Sequence, residues 1–165
     1  MLICFVLGLS GNLGCAVLGG SGFGFTPVRI SDLVDEGDPQ RRASLRLVDD
    51  GLSADAQGQP ARAQARYERA LQVDATNPYA YLAIARHHVE EQDPLRALQF
   101  LDRADSLLRM NGDLPLEVEV HLLGLRGGAL YDSGRVEEGV ELLDRARKLS
   151  PRIWGDGALR AEELR

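Results

Sequence analysis

The chain has 165 residues, of which 44% are hydrophobic and 27% are charged, and its formal net charge is −6. That length suffices for one domain with a buried core, whereas the acidic balance offers no counterion-release driving force for nucleic-acid binding. The two cysteines are Cys4 and Cys15, so residues 16–165 hold neither a disulfide nor a thiolate zinc cluster.

Residues 1–15 have the pattern of a secretion signal. An uncharged apolar run occupies residues 2–9 and is too short to span a bilayer, which takes about 20 apolar residues. The Gly14-Cys15 step that follows resembles the signal of bacterial lipoproteins. This resemblance implies that Cys15 becomes an acylated first residue and that lipid anchors the protein in the bacterial cell envelope, at the outer membrane and facing the periplasm. An uncleaved membrane anchor and a disordered apolar tail of a cytoplasmic protein are the alternatives.

Residues 16–40 predict a flexible tether, because a glycine-rich stretch is followed by an acidic stretch with turn-forming residues. The glycines at 19, 20, 22 and 24 also suggest a nucleotide-binding loop. We reject that interpretation because the segment leads into Thr26-Pro27 and not into a helix N-terminus.

From residue 41 onward the sequence repeats itself. The stretches 58–73, 92–107 and 134–149 each begin at a helix breaker and place a small residue, a large residue and an alanine on one helix face. The second copy follows the first by 34 residues and the third follows the second by 42, which places an insertion at 112–119. An apolar-periodic stretch precedes each copy, so the pattern predicts three helix pairs that bury their apolar faces by stacking.

The repeated positions are similar to those of the tetratricopeptide repeat family. Counted from Ser44, Pro78 and Val120, the matching residues are Gly51, Ala85 and Gly127 at position 8, Ala63, Ala97 and Gly139 at position 20, Tyr67, Leu101 and Leu143 at position 24, and Ala70, Ala104 and Ala146 at position 27. The resemblance implies an all-α fold, a right-handed solenoid of about three tandem helix-turn-helix repeats over residues 41–151. A polar C-terminal capping helix is expected within residues 152–165.

In this family the first helices of the pairs line a concave groove that takes a peptide or a helix of a partner protein. The implied contact positions of the second and third repeats hold Tyr79, Leu82, Arg86, Val89, Glu90, His121, Gly128, Tyr131 and Asp132. Those of the first repeat hold Leu45, Val48, Leu52 and Asp55. The apolar Val48 and Leu52 disfavour the subclass that binds chaperone tails through a polar clamp. Packing against a neighbouring repeat is the alternative role for each of these side chains.

The sequence predicts no catalytic or metal site. His87 and Glu91 are four residues apart and share a helix face, but no third ligand is spaced to complete a site. Carboxylates lie beside arginines, which is typical of surface charge pairing, and no serine, cysteine or lysine has the context of a nucleophile.

We therefore expect a lipid-anchored scaffold that binds other proteins, with no enzymatic activity, no cofactor and no small-molecule substrate. A soluble intracellular adaptor or co-chaperone is one alternative. A membrane-anchored accessory subunit that regulates an enzyme is the other.

Overall fold

The structure, a computed structural model, describes residues 25–110, 112 and 114–165. The proposed signal and its Cys15 lie outside the described residues. In chain order the helices of the described part are α1 (Ile30–Leu33), α2 (Pro39–Ala56), α3 (Pro60–Val73), α4 (Pro78–Glu90), α5 (Pro94–Arg109), α6 (Leu116–Asp132), α7 (Val136–Leu149), α8 (Pro151–Trp154) and α9 (Ala161–Leu164). None of these helices combines the length and the apolar character that crossing a membrane requires.

Prolines and short polar side chains set the starts of the long helices. A proline stands in the first turn of α2, α3, α4 and α5, where its missing N–H breaks no helical hydrogen bond. The Asp38, Asn77 and Asp93 side chains accept hydrogen bonds from backbone N–H groups of the first turns of α2, α4 and α5. The starts of α2, α3, α4 and α5 are therefore encoded locally.

The turn within each pair reverses the chain at one recurrent position. Gly58 and Gly134 adopt positive φ angles of 67° and 91° there, a conformation that glycine takes without steric cost. Gln92 stands at the matching point of the second pair and also has a positive φ, of 59°. The turn geometry is thus common to all three pairs.

The six long helices pack as the pairs α2–α3, α4–α5 and α6–α7, and α4 and α6 each pack against the preceding pair. Small residues let the paired helices approach closely. A Cβ atom added to Gly51 would lie 2.3 Å from the Tyr67 ring, and one added to Gly139 would lie 2.6 Å from the backbone nitrogen of Tyr131. These observations confirm the predicted all-helical, tetratricopeptide-like repeat fold.

The insertion at 112–119 is divided between a loop and a helix. Helix α6 begins at Leu116, four residues before the Val120 from which the repeat positions are counted, and α5 continues to Arg109. The extra residues therefore lengthen both helices that flank the turn.

A flexible tether was expected at residues 16–40, but the described part of this range, 25–40, packs against the repeat domain. Ile30 has no exposed surface, and the segment around it packs against α2. The Val28 backbone N–H donates to the carbonyl oxygen of Glu117 (2.9 Å), and the Ser31 N–H donates to that of Arg165 (2.8 Å). Apolar side chains scattered among turn residues, without helical periodicity, explain why the sequence did not reveal this packing.

The C-terminal residues 152–165 do not form one polar capping helix. They form the single turns α8 and α9, and α9 packs against α2 of the first repeat. Trp154, Leu159, Ala161 and Leu164 are at most 6% exposed, so the segment is held by apolar burial.

The adjacent glycines 127 and 128 of α6 provide a test of the close helix approach. A Cβ atom at 127 would lie 2.8 Å from the Leu143 backbone nitrogen and 2.9 Å from the Gly139 oxygen, whereas one at 128 would meet nothing nearer than Val89 Cγ1 at 4.0 Å. We expect Gly127→Ala to lower the free energy of unfolding by about 1–3 kcal/mol through overpacking. Gly128→Ala should raise it by about 0.5–1 kcal/mol, because alanine is the better helix former. Urea denaturation followed by circular dichroism measures both, and equal effects would contradict the packing described.

Candidate functional site

The first helices of the three pairs, α2, α4 and α6, form one face of the repeat domain, which we call the inner face. It carries the residues that the sequence analysis placed in the groove. Leu45, Val48 and Leu52 of α2 and Leu82 of α4 are at most 1% exposed. Because α1 and α9 both pack against α2, the chain's own terminal segments cover this apolar part of the inner face.

Gly124 and Trp154 fix the C-terminal segment on the inner face. A Cβ atom at Gly124 would lie 2.4 Å from the Trp154 ring, so the indole occupies the space that a side chain would take. Trp154 is 1% exposed and its ring centroid lies 6.3 Å from that of His121. Farther on, the Arg165 guanidinium donates to Asp49 Oδ1 at 3.0 Å. The segment thus reaches from the third repeat to the first.

An open cavity of about 770 Å³ remains beside this segment. Its walls come from the C-terminal ends of α2, α4 and α6, from α7 and from residues 154–162. Apolar side chains include Val89, Leu125 and Leu143, and Gly128 leaves room between them. The predicted groove residues in its lining are Arg86, Val89, Glu90, Tyr131 and Asp132, together with Asp55 and Gly128.

Tyr79, Leu82 and His121 do not line the cavity. Leu82 and His121 are fully buried and Tyr79 is half-buried, with its backbone N–H donating to Asn77 Oδ1 at 3.1 Å. His121 Nε2 lies 3.1 Å from the carbonyl oxygen of Val28. These three residues serve the contact between the inner face and the terminal segments, or the core itself.

A buried polar cluster joins the first two repeats next to the cavity. The Asp55 carboxylate is 3% exposed and accepts hydrogen bonds from Arg86 (2.5 Å), from His87 Nδ1 (2.9 Å) and from the Tyr67 hydroxyl (2.8 Å). Arg86 also pairs with Glu90 at 2.7 Å. Since a carboxylate only accepts, His87 Nδ1 carries the proton in this arrangement.

The cluster keeps Asp55 ionised. Burial alone would raise the pKa of Asp55, but the hydrogen bond from His87 and the charge of Arg86 outweigh it, and the pKa lies below its ordinary value. Burial and the nearby Asp55 charge raise the pKa of Tyr67. A carboxylate held by three donors is a poor proton acceptor, so this cluster organises the cavity wall and does not resemble an acid–base pair.

The two neighbouring histidines on α4 have separate packing roles. His87 lies edge-on to Tyr67, with ring centroids 5.7 Å apart. His88 stacks on Phe100 at 5.3 Å. Their different directions follow from adjacent positions on one helix.

The sequence and the fold of the chain are similar to those of known repeat proteins. Residues 56–111 match the model of the tetratricopeptide repeat family. That range runs from the end of α2 through α5. The fold is also similar to the N-terminal domain of stress-induced protein-1 (STI-1) from C. elegans, with a TM-score of 0.58 at 19% identity, covering 78% of this chain and 98% of that domain. No curated protein matches the chain in sequence.

Several lining residues of the cavity were missed from the sequence. Gly124 occupies a groove position of the third tetratricopeptide-like repeat. A glycine at such a position indicates that another group packs closely against the helix, and here that group is the Trp154 ring. Leu125, Trp154 and Arg160 carry no such signal. They reach the cavity through the path of the C-terminal segment, which the repeat pattern does not encode.

His121 gives the stability of the fold a measurable pH dependence. Burial lowers its pKa from 6.5 to about 4, against the opposing hydrogen bond to Val28. As pH falls from 6.5 towards 4, the unfolded chain takes up a proton that the folded chain excludes, so stability is lost over that window, by about 3 kcal/mol in all. We expect His121→Gln, whose amide can still donate to Val28, to remove this loss in urea titrations between pH 7 and pH 4. An unchanged slope in the variant would refute the assignment.

Proposed function

We propose that this protein is a non-catalytic scaffold that binds a segment of another protein in the cavity of the inner face. The observation that carries the proposal is the convergence of α2, α4 and α6 on one open cavity, which takes lining residues from all three repeats. Both the family match and the fold likeness support a protein-interaction role.

The cavity suits a peptide that offers an apolar side chain. Val89, Leu125 and Leu143 provide an apolar wall, while exposed carboxylates such as Glu90 and Asp132 stand in its lining. A pocket of this volume with a few placed polar groups is typical of a ligand site. The chain's own tail supports the same chemistry, because Leu159 and Leu164 are buried where it lies on the inner face.

The first repeat cannot form the polar clamp by which related domains bind chaperone tails. Val48 and Leu52, at the positions that such a clamp would use, have no exposed surface. The partner is therefore expected to bind without a clamp of this kind.

We further propose that Cys15 is acylated and holds the repeat domain at the bacterial cell envelope, on the periplasmic side of the outer membrane. The support is the apolar run at 2–9 followed by Gly14-Cys15. Two or more acyl chains give stable anchoring, since each buried methylene contributes about 0.8 kcal/mol. A soluble adaptor is the alternative if Cys15 is unmodified. Co-purification with an enzyme whose activity changes would instead favour a membrane-anchored accessory subunit.

Site-specific photo-crosslinking in the producing cells tests the cavity. We expect a photoreactive residue at Glu90 or Glu162, on two walls of the cavity, to capture the same partner protein. Photoreactive residues at the exposed Leu95 and Met110 are the controls and should not capture it. Gly128→Leu, which directs a side chain into the cavity, should reduce capture at least about tenfold, equivalent to about 1.4 kcal/mol. Equal capture at Leu95 would contradict the proposal.

Intact-mass analysis with detergent partitioning tests the anchor. The native chain should begin at Cys15, carry added acyl mass and enter the detergent phase. Cys15→Ser should lose the acyl mass and stay in the aqueous phase. An unmodified wild-type chain in the aqueous phase would instead support the soluble adaptor.

A further inference from the structure

The far side of the third repeat leaves apolar surface exposed. Three of the six large apolar side chains that are exposed in the described part of the chain lie here: Tyr131 is 49%, Val136 is 43% and Val140 is 40% exposed. We define the end surface as Tyr131, Asp132, Val136, Val140 and Asp144, of which Tyr131, Asp132 and Val140 also form the rim of the cavity. After α7 the chain turns at Pro151 towards the inner face, and α9 packs against α2. The end surface therefore stays open although a C-terminal segment follows it.

The preceding repeat shows what covers this surface when a further helix pair is present. Helix α6 packs against α5, and there Leu98, which corresponds to Val140 by the 42-residue offset, is half-buried. The residues that correspond to Tyr131 are likewise covered: Val89 is half-buried and the Asp55 side chain is 3% exposed. The first helix of a following pair is thus the element that fits here.

The charged residues of the end surface indicate that the incoming helix is basic. Arg126 of α6 donates to Asp102 of α5 at 2.6 Å, and Asp102 corresponds to Asp144 on the end surface. Asp132 adds a second exposed carboxylate. The adjoining cavity is lined by five carboxylates and three arginines, a negative surplus. A basic side chain on the incoming helix would repeat the contact that Arg126 makes.

Asp144 is available for such a contact. It pairs with Arg147 of its own helix at 3.0 Å, and both side chains are more than a third exposed, at 53% and 39%. Exposed pairs of this kind are weak and rearrange readily. An incoming cation can therefore share the Asp144 carboxylate.

We propose that the end surface binds an amphipathic, basic helix of a partner protein, which packs on the exposed side of α6 and α7, alongside α8. Two copies of this chain joined symmetrically by the end surface would bring the Asp132 and Asp144 carboxylates of both copies into one interface. The net charge of −6 opposes that association. The partner is accordingly a different, basic protein.

A stapled peptide with the sequence of α6 (Leu116–Asp132), carrying Glu119→Lys and Asp132→Lys, is the probe. A staple is used because a free helix of this length is marginal in water. Fluorescence anisotropy against the full chain should show saturable binding, with a Kd on the order of 10–100 μM. A second peptide that also carries Arg126→Glu should bind at least about tenfold more weakly.

Matched variants of the chain locate the binding. Val136→Asn with Val140→Asn, which removes apolar contact without adding charge, should weaken binding at least about tenfold, whereas Leu95→Asn, at a 66% exposed leucine of α5, should leave it unchanged. The Gly128→Leu variant, in which the cavity is blocked, should bind the probe as the wild-type chain does. Loss of partner capture at the cavity can therefore be told apart from loss of probe binding at the end surface. Absence of saturable binding, or an equal loss in Leu95→Asn, would overturn the proposal. A dimer in sedimentation that becomes a monomer in the double variant Val136→Asn with Val140→Asn would also overturn the proposal, because it would identify a second copy of the chain as the occupant.

Discussion

The structure depends on a close approach between the two helices of each pair. In the third pair Gly127 and Gly139 face each other so closely that a Cβ on either would meet backbone atoms of the opposite helix. In the first pair Gly51 lies against the Tyr67 ring. Because helix spacing is set by the side chains at the crossing, these small residues fix the angle and distance of each pair. The positions of the outward-facing residues on α2, α4 and α6 follow from that geometry.

One consequence is an inner face that is too apolar to remain open. Leu45, Val48, Leu52 and Leu82 are at most 1% exposed, and burial of such side chains contributes about 1.5–3 kcal/mol each. The terminal segments supply that burial through α1, Trp154 and α9. They cover one part of the inner face and leave the other part as the cavity. The proposed binding surface is thus the part of the inner face that the terminal segments leave uncovered.

The sequence predicted what is encoded locally and repeated. The three helix pairs, their proline starts and the small residues at the crossings all follow from spacing within about 34 residues. The burial of Ile30, the path of residues 152–165 and the Asp55 cluster depend on partners far along the chain. Arg86 is such a case: its groove position was predicted, but its pairing with Asp55 requires the relative placement of two repeats. Contacts of this kind have no periodic signature.

The terminal segments also change how the solenoid behaves as a binding protein. In an open repeat array each unit contacts its neighbours and the curvature can vary. Here the Val28–Glu117 hydrogen bond ties the N-terminal segment to α6, while the Arg165–Asp49 pair and the buried Leu164 tie the C-terminal segment to α2. The N-terminal segment therefore holds the third repeat, and the C-terminal segment holds the first. A cavity whose walls are held in this way loses less conformational entropy when a ligand enters, so its apolar wall and acidic lining are preorganised for binding.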